Sequence, residues 1–126
     1  MSDETNPKDL LGIKKISTFV IPTTATLHLA HAMMDGARKY SSFNWRSKKV
    51  RASIYLDALE RHVMLWKEGE EQAEDSGVHH LGHAMACLAI ILDALETGNL
   101  VDDRPPKGEG CIKLMKTLNS LIAEKK

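Results

Sequence analysis

Three histidines fall within five residues at His79-His80-Leu81-Gly82-His83, the densest chemical signal in the chain. Residues three or four apart on a helix share a face, so His80 with His83, or His79 with His83, could converge on one metal ion. A lone histidine on an apolar helix is more simply a cap or a hydrogen-bonded core imidazole. Three together, directly after Glu68, Glu70, Glu71, Glu74 and Asp75, keep the metal reading open beside that one. The acidic stretch supplies hard oxygen donors, with Glu70 and Asp75 as the candidate ligands and the remaining charges simply solvated. His62 lies within an apolar stripe, where an imidazole needs a polar partner to offset its desolvation, and is the expected companion across the bundle. Asp57 and Arg61 stand four apart. They form either an i,i+4 ion pair worth about 0.3 kcal/mol or a metal ligand with a phosphate contact.

A second group of residues suits an aromatic, anionic ligand. The run Lys39-Tyr40-Ser41-Ser42-Phe43-Asn44-Trp45-Arg46 combines aromatic rings that can stack on a base, an amide that can pair with its edge, and two cations for phosphate. Aromatic residues that merely pin a loop to the core would look the same.

The elements that must position these residues are helical. The first confident helix starts near Thr23 or Thr24, where a hydroxyl can cap after Pro22. It carries Leu27, Ala30, Met34 and Ala37 at helical spacing to about Lys39. The second runs from about Val50 to Glu68, with Tyr55, Ala58, Leu59, Leu65 and Trp66 on one stripe, and ends at Gly69. A third begins at an Asp75 or Ser76 cap, extends to about Thr97, and is apolar nearly all round from Ala84 to Leu92, which makes it central. A fourth, from about Cys111 to Ala123, places Ile112, Met115, Leu118 and Ile122 on one side. Residues 1–22 are punctuated by Pro7, Gly12 and Pro22 and are expected to form an ordered loop. No segment alternates as a strand, and there is no internal repeat. The expectation is one all-α domain over residues 1–126, a compact bundle of about four helices.

Seventeen basic and seventeen acidic residues cancel. That balance argues against a duplex-binding protein and leaves room for a small anionic ligand. Cys87 and Cys111 form no CxxC pair and sit among apolar residues, as in the thiols of a reducing compartment. Met1-Ser2-Asp3-Glu4 lacks the basic-then-apolar order of a secretory signal, so a cytoplasmic location is expected. The uncharged stretch Ser76 to Leu92 contains three histidines and two glycines and reads as a buried helix, not a membrane span.

Taken in order, Asn6-Pro7-Lys8-Asp9-Leu10-Leu11-Gly12, Asp35-Gly36-Ala37-Arg38-Lys39-Tyr40, Asn44-Trp45-Arg46, Arg61-His62, Gly69-Glu70, Asp75-Ser76-Gly77 and His80-Leu81-Gly82-His83-Ala84 form a specific set. This set resembles the phage dATP/dGTP diphosphohydrolase family of the MazZ type, itself related to MazG-like all-α pyrophosphohydrolases. The resemblance extends from Asn6 through Asp102-Asp103-Arg104-Pro105-Pro106. It implies hydrolysis of dATP and dGTP between the α and β phosphates, giving the monophosphate and pyrophosphate, and for some members a role in making DNA with 2-aminoadenine. MazG-like proteins carry ExxE on one helix and ExxD on the next. In register with the second motif, His80 and His83 take the places of its Glu and Asp. Asp57-Ala58-Leu59-Glu60 is the nearest equivalent of the first, with Asp57 and His62 preferred as ligands over Glu60.

The expected catalytic and metal-binding set is therefore Asp57, His62, Glu70, His80 and His83, with Asp75 as a further ligand. Lys8, Lys39, Arg46 and Arg61 are expected at phosphate, Asn44 at the purine edge, and Trp45 and Tyr40 at the base. Two or more divalent ions are expected, Mn²⁺ or Co²⁺ ahead of Mg²⁺, because imidazole ligands favour borderline ions. The chain's small size points to a homo-oligomer, and the family's relatives form dimers or tetramers. A non-catalytic helical metal-binding module, or a phosphohydrolase releasing triphosphate or orthophosphate, would also use a histidine cluster.

Overall fold

The computed structural model describes residues 5–125. Their order is α1 (Pro7–Gly12), α2 (Thr23–Tyr40), α3 (Asn44–Ser47), β1 (Val50–Arg51), α4 (Ala52–Lys67), α5 (His80–Glu96), β2 (Leu100–Val101) and α6 (Gly110–Glu124). The fold is all-α. Helix α5 is central, packing against α4 on one side and α2 on the other, as its near-continuous apolar surface requires. The core is built mainly from small side chains, with Ala32, Ala52, Ala84, Ala86, Cys87 and Ala94 buried beside Val50 and Val78.

Helices α2 and α5 approach closely at Gly82, where a Cβ would lie 2.8 Å from the backbone oxygen of His28. A glycine within a helix costs up to about 1 kcal/mol against alanine. Here it lets α2 and α5 touch backbone to backbone and brings their polar side chains within reach of each other.

Several expectations need correction. The N-terminal stretch contains a helix: Pro7 occupies its first turn and the Asn6 side chain accepts the Lys8 N–H at 3.0 Å. The first four residues of that expected loop lie outside the described residues. Helix α2 has no side-chain cap at Thr23 or Thr24. Its buried face holds Ala32, flanked by Leu29 and Met33, while Leu27 and Met34 are exposed. Two apolar stripes run along α2, and periodicity fits both; the one holding Ala32 packs into the core. On α4, Leu65 and Trp66 extend past the contact and are substantially exposed.

Helix α5 starts at His80, later than the Asp75 or Ser76 expected. Gly77 takes φ 72° and its N–H donates to the Ala73 oxygen at 2.8 Å, while Gln72 pairs with His79 in an antiparallel bridge. The His79 ring then caps the helix, Nδ1 accepting the Leu81 N–H at 3.0 Å. A short parallel pairing, Val50 with Leu100 and Arg51 with Val101, ties the entry of α4 to the exit of α5. Strands of two residues are too short to show alternation in sequence. Helix α6 forms as expected, but all its described residues are exposed, including Ile112, Met115, Leu118 and Ile122. No helix among the described residues is long and apolar enough to cross a membrane.

Candidate functional site

Where α4 and α5 face each other, a chain of polar side chains runs outward from the core. His80 is almost fully buried. Its Nε2 lies 2.6 Å from Glu70 Oε1 and its Nδ1 lies 2.8 Å from His62 Nδ1. A carboxylate only accepts, so His80 Nε2 carries the proton donated to Glu70. When His80 accepts at Nδ1, His62 Nδ1 is the donor and the lone pair of His62 lies on Nε2. His62 also stacks on His83, with ring centroids 4.6 Å apart, and His83 Nε2 lies 2.8 Å from Ser76 Oγ. Three imidazoles from two helices thus form one cluster.

Its electrostatics follow from burial. His62 is pushed down to about 4 by desolvation, reinforced by His83, His80 and Arg61, so it is neutral at pH 7. Burial likewise lowers His83, against the pull of the Asp35 carboxylate.

The cluster forms one wall of a cavity of about 390 Å³, within the range of small-ligand sites. Tyr40, Phe43, Asn44 and Trp45 also line it, as do Tyr55 and Cys87. Phe43 meets Trp45 edge to face at 5.7 Å. The loop that carries them is strained: Ser41 and Phe43 both hold positive φ, 79° and 61°, which costs about 1 kcal/mol or more apiece for residues with a Cβ. Lys39 is the one Lys or Arg among the described residues lining the cavity. Its Nζ lies 3.0 Å from Asp35 and 3.5 Å from Asp75. The Asp35 hydrogen bond is the main reason its pKa is raised. Burial alone would raise the Asp35 carboxyl, but Arg38 and Lys39 together outweigh it and hold it below its usual value.

Of the residues expected at the site, Lys39, Tyr40, Asn44, Trp45, His62, Asp75 and His83 line this cavity. Glu70 and His80 stand behind His62. Others are placed elsewhere. Asp57 is exposed and does not line the cavity. Five residues along a helix turn it about 140° from His62. Arg61 is exposed and reaches His62 only through its charge. Lys8 sits on exposed α1. Arg46 is gripped by Asp93, Nε to Oδ2 and Nη2 to Oδ1, both at 2.7 Å.

Residues that the sequence reading passed over are Asp35, Tyr55, Ser76 as a histidine partner, and Asp93. Asp35 had a local signal, standing three and four residues before Arg38 and Lys39. Tyr55 shares the α4 face of His62, seven residues away. The Asp93 pairing had none. A further polar knot, His79 Nε2 to Glu71 Oε2 at 2.8 Å with the Trp66 indole donating to the same oxygen at 3.2 Å, holds the loop before α5.

The imidazole and carboxylate donors of this wall fit a borderline divalent ion in kind. As placed, no three His, Cys, Asp or Glu side chains among the described residues converge on a single ion position. His62, His83 and Asp75 face the cavity and could share an ion with a ligand bound there.

No solved structure matches this chain. Over 99 residues it is 30% identical to a dATP/dGTP diphosphohydrolase of Salmonella phage PMBT28, an alignment covering 75% of this chain and 33% of that relative. The chain thus spans about a third of that relative's length. Residues 5–104, which include every cavity-lining residue and exclude α6, match the family described as dATP/dGTP diphosphohydrolase, N-terminal. The chain belongs to that family.

Proposed function

We propose that this chain binds purine deoxynucleoside triphosphates in the α2–α4–α5 cavity and hydrolyses dATP and dGTP to the monophosphate and pyrophosphate. The observation that carries the reading is the mixed lining of that one cavity. Aromatic rings and the Asn44 amide line it together with Lys39, Asp75, His62 and His83. A base stacked on Trp45 and read by Asn44 would direct its phosphates toward the histidine wall.

Asp75 and His83, with His62, are the residues that would hold a divalent ion together with phosphate oxygens. Such an ion would neutralise phosphate charge and lower the pKa of water for in-line attack at the α-phosphorus. The chain's own residues do the rest. Glu70 holds His80, and His80 in turn orients His62, whose free Nε2 would be offered to the ion. Lys39 supplies positive charge for the departing pyrophosphate after exchanging its Asp75 contact for phosphate oxygen. Imidazole donors make Mn²⁺ or Co²⁺ the preferred ions over Mg²⁺.

Association of copies belongs to the same reading. Leu88, Leu92 and Leu95 of α5 and the apolar side of α6 are exposed in the single chain, more apolar surface than a lone small domain ordinarily shows.

A chromatographic product assay tests the proposal, with dGTP, dATP, dCTP and dTTP, each in Mn²⁺, Co²⁺, Mg²⁺ or chelator, for the native chain and for His80→Ala/His83→Ala. The expected result is monophosphate and pyrophosphate from the purines alone, strongest in Mn²⁺ or Co²⁺ and lost in chelator and in the variant. Triphosphate or orthophosphate as product would replace the reaction. No turnover in any metal, with an ion retained through dialysis, would replace catalysis by a structural metal role.

A further inference from the structure

Trp45, with Met33 and Ile90, lines both the large cavity and a second cavity of about 220 Å³ that Ala89 and Asp93 complete. A ring that borders open space in both needs ties from elsewhere to hold its position. The candidate is Arg46, whose guanidinium carbon lies 5.1 Å from the centroid of the Trp45 ring and whose fork is taken up by both oxygens of Asp93 on α5. Two more ties hold the backbone of this segment: the Asn99 amide donates to the Trp45 oxygen at 2.8 Å and also to the Lys48 oxygen.

We propose that Asp93, acting through Arg46, is a positioning residue that fixes Trp45 as the rigid wall against which the base stacks. Arg46 is accordingly a clamp and not a phosphate contact. Its fork is spent on a carboxylate in bidentate geometry, the strongest arrangement that side chain makes. The pair is partly solvent-exposed, Arg46 at 53% and Asp93 at 27%, so it adds little to global stability. Its effect lies in preorganisation: a wall already in place need not be ordered when a ligand binds. The inference rests on the cavity being a nucleotide site, and the experiment separates the two.

The full chain contains two tryptophans, so a Trp66→Phe background leaves Trp45 as the sole reporter. Acrylamide quenching without ligand reads how firmly the ring is held, and steady-state kinetics with dGTP read its consequence. Asp93→Asn keeps the size and removes the charge. It is expected to raise the quenching constant and to raise KM by about fivefold with kcat within about twofold, as loss of binding without loss of chemistry requires. Asp93→Glu, which keeps the carboxylate, should restore part of both; Arg46→Lys, which keeps the charge but loses the fork, should resemble Asp93→Asn. If Asp93→Asn does not fold, Arg46→Lys carries the same test. Unchanged quenching and KM in the folded variants would overturn the proposal, as would a fall in kcat with KM unchanged. Looser Trp45 in Asp93→Asn, in a protein that neither binds nor turns over dGTP, would support the clamp and overturn the nucleotide reading instead.

Discussion

Gly82→Ala should destabilise the protein even though alanine is the better helix former. Gly82 lies inside α5, where the exchange alone would stabilise by about 1 kcal/mol. The added Cβ would meet the His28 oxygen at 2.8 Å and its carbonyl carbon at 3.3 Å. These are backbone atoms of α2, so relief requires the two helices to separate, and overpacking of this kind costs about 1–3 kcal/mol. Backbone atoms cannot swing aside as a side chain can, which puts the cost in the upper part of that range, about 2–3 kcal/mol, and leaves a net loss of about 1–2 kcal/mol, or a fall in Tm of about 4–8 °C for a chain of this length. Gly36→Ala is the internal control. Gly36 lies inside α2, and a Cβ there meets nothing within 4 Å, so the same exchange should stabilise by up to about 1 kcal/mol. Urea unfolding followed by far-UV circular dichroism, with equal m-values across the set, measures both. If Gly82→Ala were as stable as the native chain, or if both variants moved in the same direction, backbone contact would not be what sets the α2–α5 spacing.

Stability should also depend on pH through the histidine wall. His62 titrates at about 4 when folded against 6.5 as a free side chain, so between those values the unfolded chain binds the extra proton. Stability is then complete above pH 6.5 and is lost as pH falls toward 4, by an amount on the order of 2 kcal/mol after allowance for partial solvation. Lowered His83 acts in the same direction. Denaturant midpoints in chelator at pH 7.5 and 5 measure it, and His62→Gln should flatten the profile; a profile equally steep in that variant would assign the effect elsewhere. Asp103 accepts from the backbone N–H and the hydroxyl of Ser53 in the first turn of α4, a cap delivered from a distant loop. Asp103→Ala should cost about 1 kcal/mol. The test is Tm, and a Tm within 1–2 °C of native would show that water replaces the cap.

The three long helices around the cavity could be read from apolar spacing, because periodicity is a local property that any amphipathic helix must show. So could the central place of α5, whose surface is apolar on nearly every side, and the concentration of chemistry in His79–His83, Asp75 and the Tyr40–Arg46 connector. Local spacing also held information that the motif comparison overrode: Asp57 and His62, five apart, cannot share a helix face. Two near-equivalent stripes on α2 left its orientation open until packing against Val78 and Ala86 selected the one with Ala32.

What only the tertiary structure decided is which polar groups meet. The pairing of Arg46 with Asp93, of His62 with His80, of Lys39 with Asp75 and of Ser53 with Asp103 joins residues 18 to 50 positions apart. A sequence specifies the face a residue occupies; its partner depends on the distance and rotation between two packed helices. Arg46 thus looks the same in sequence whether it faces a phosphate or a carboxylate, and only the position of Asp93 on α5 distinguishes the two.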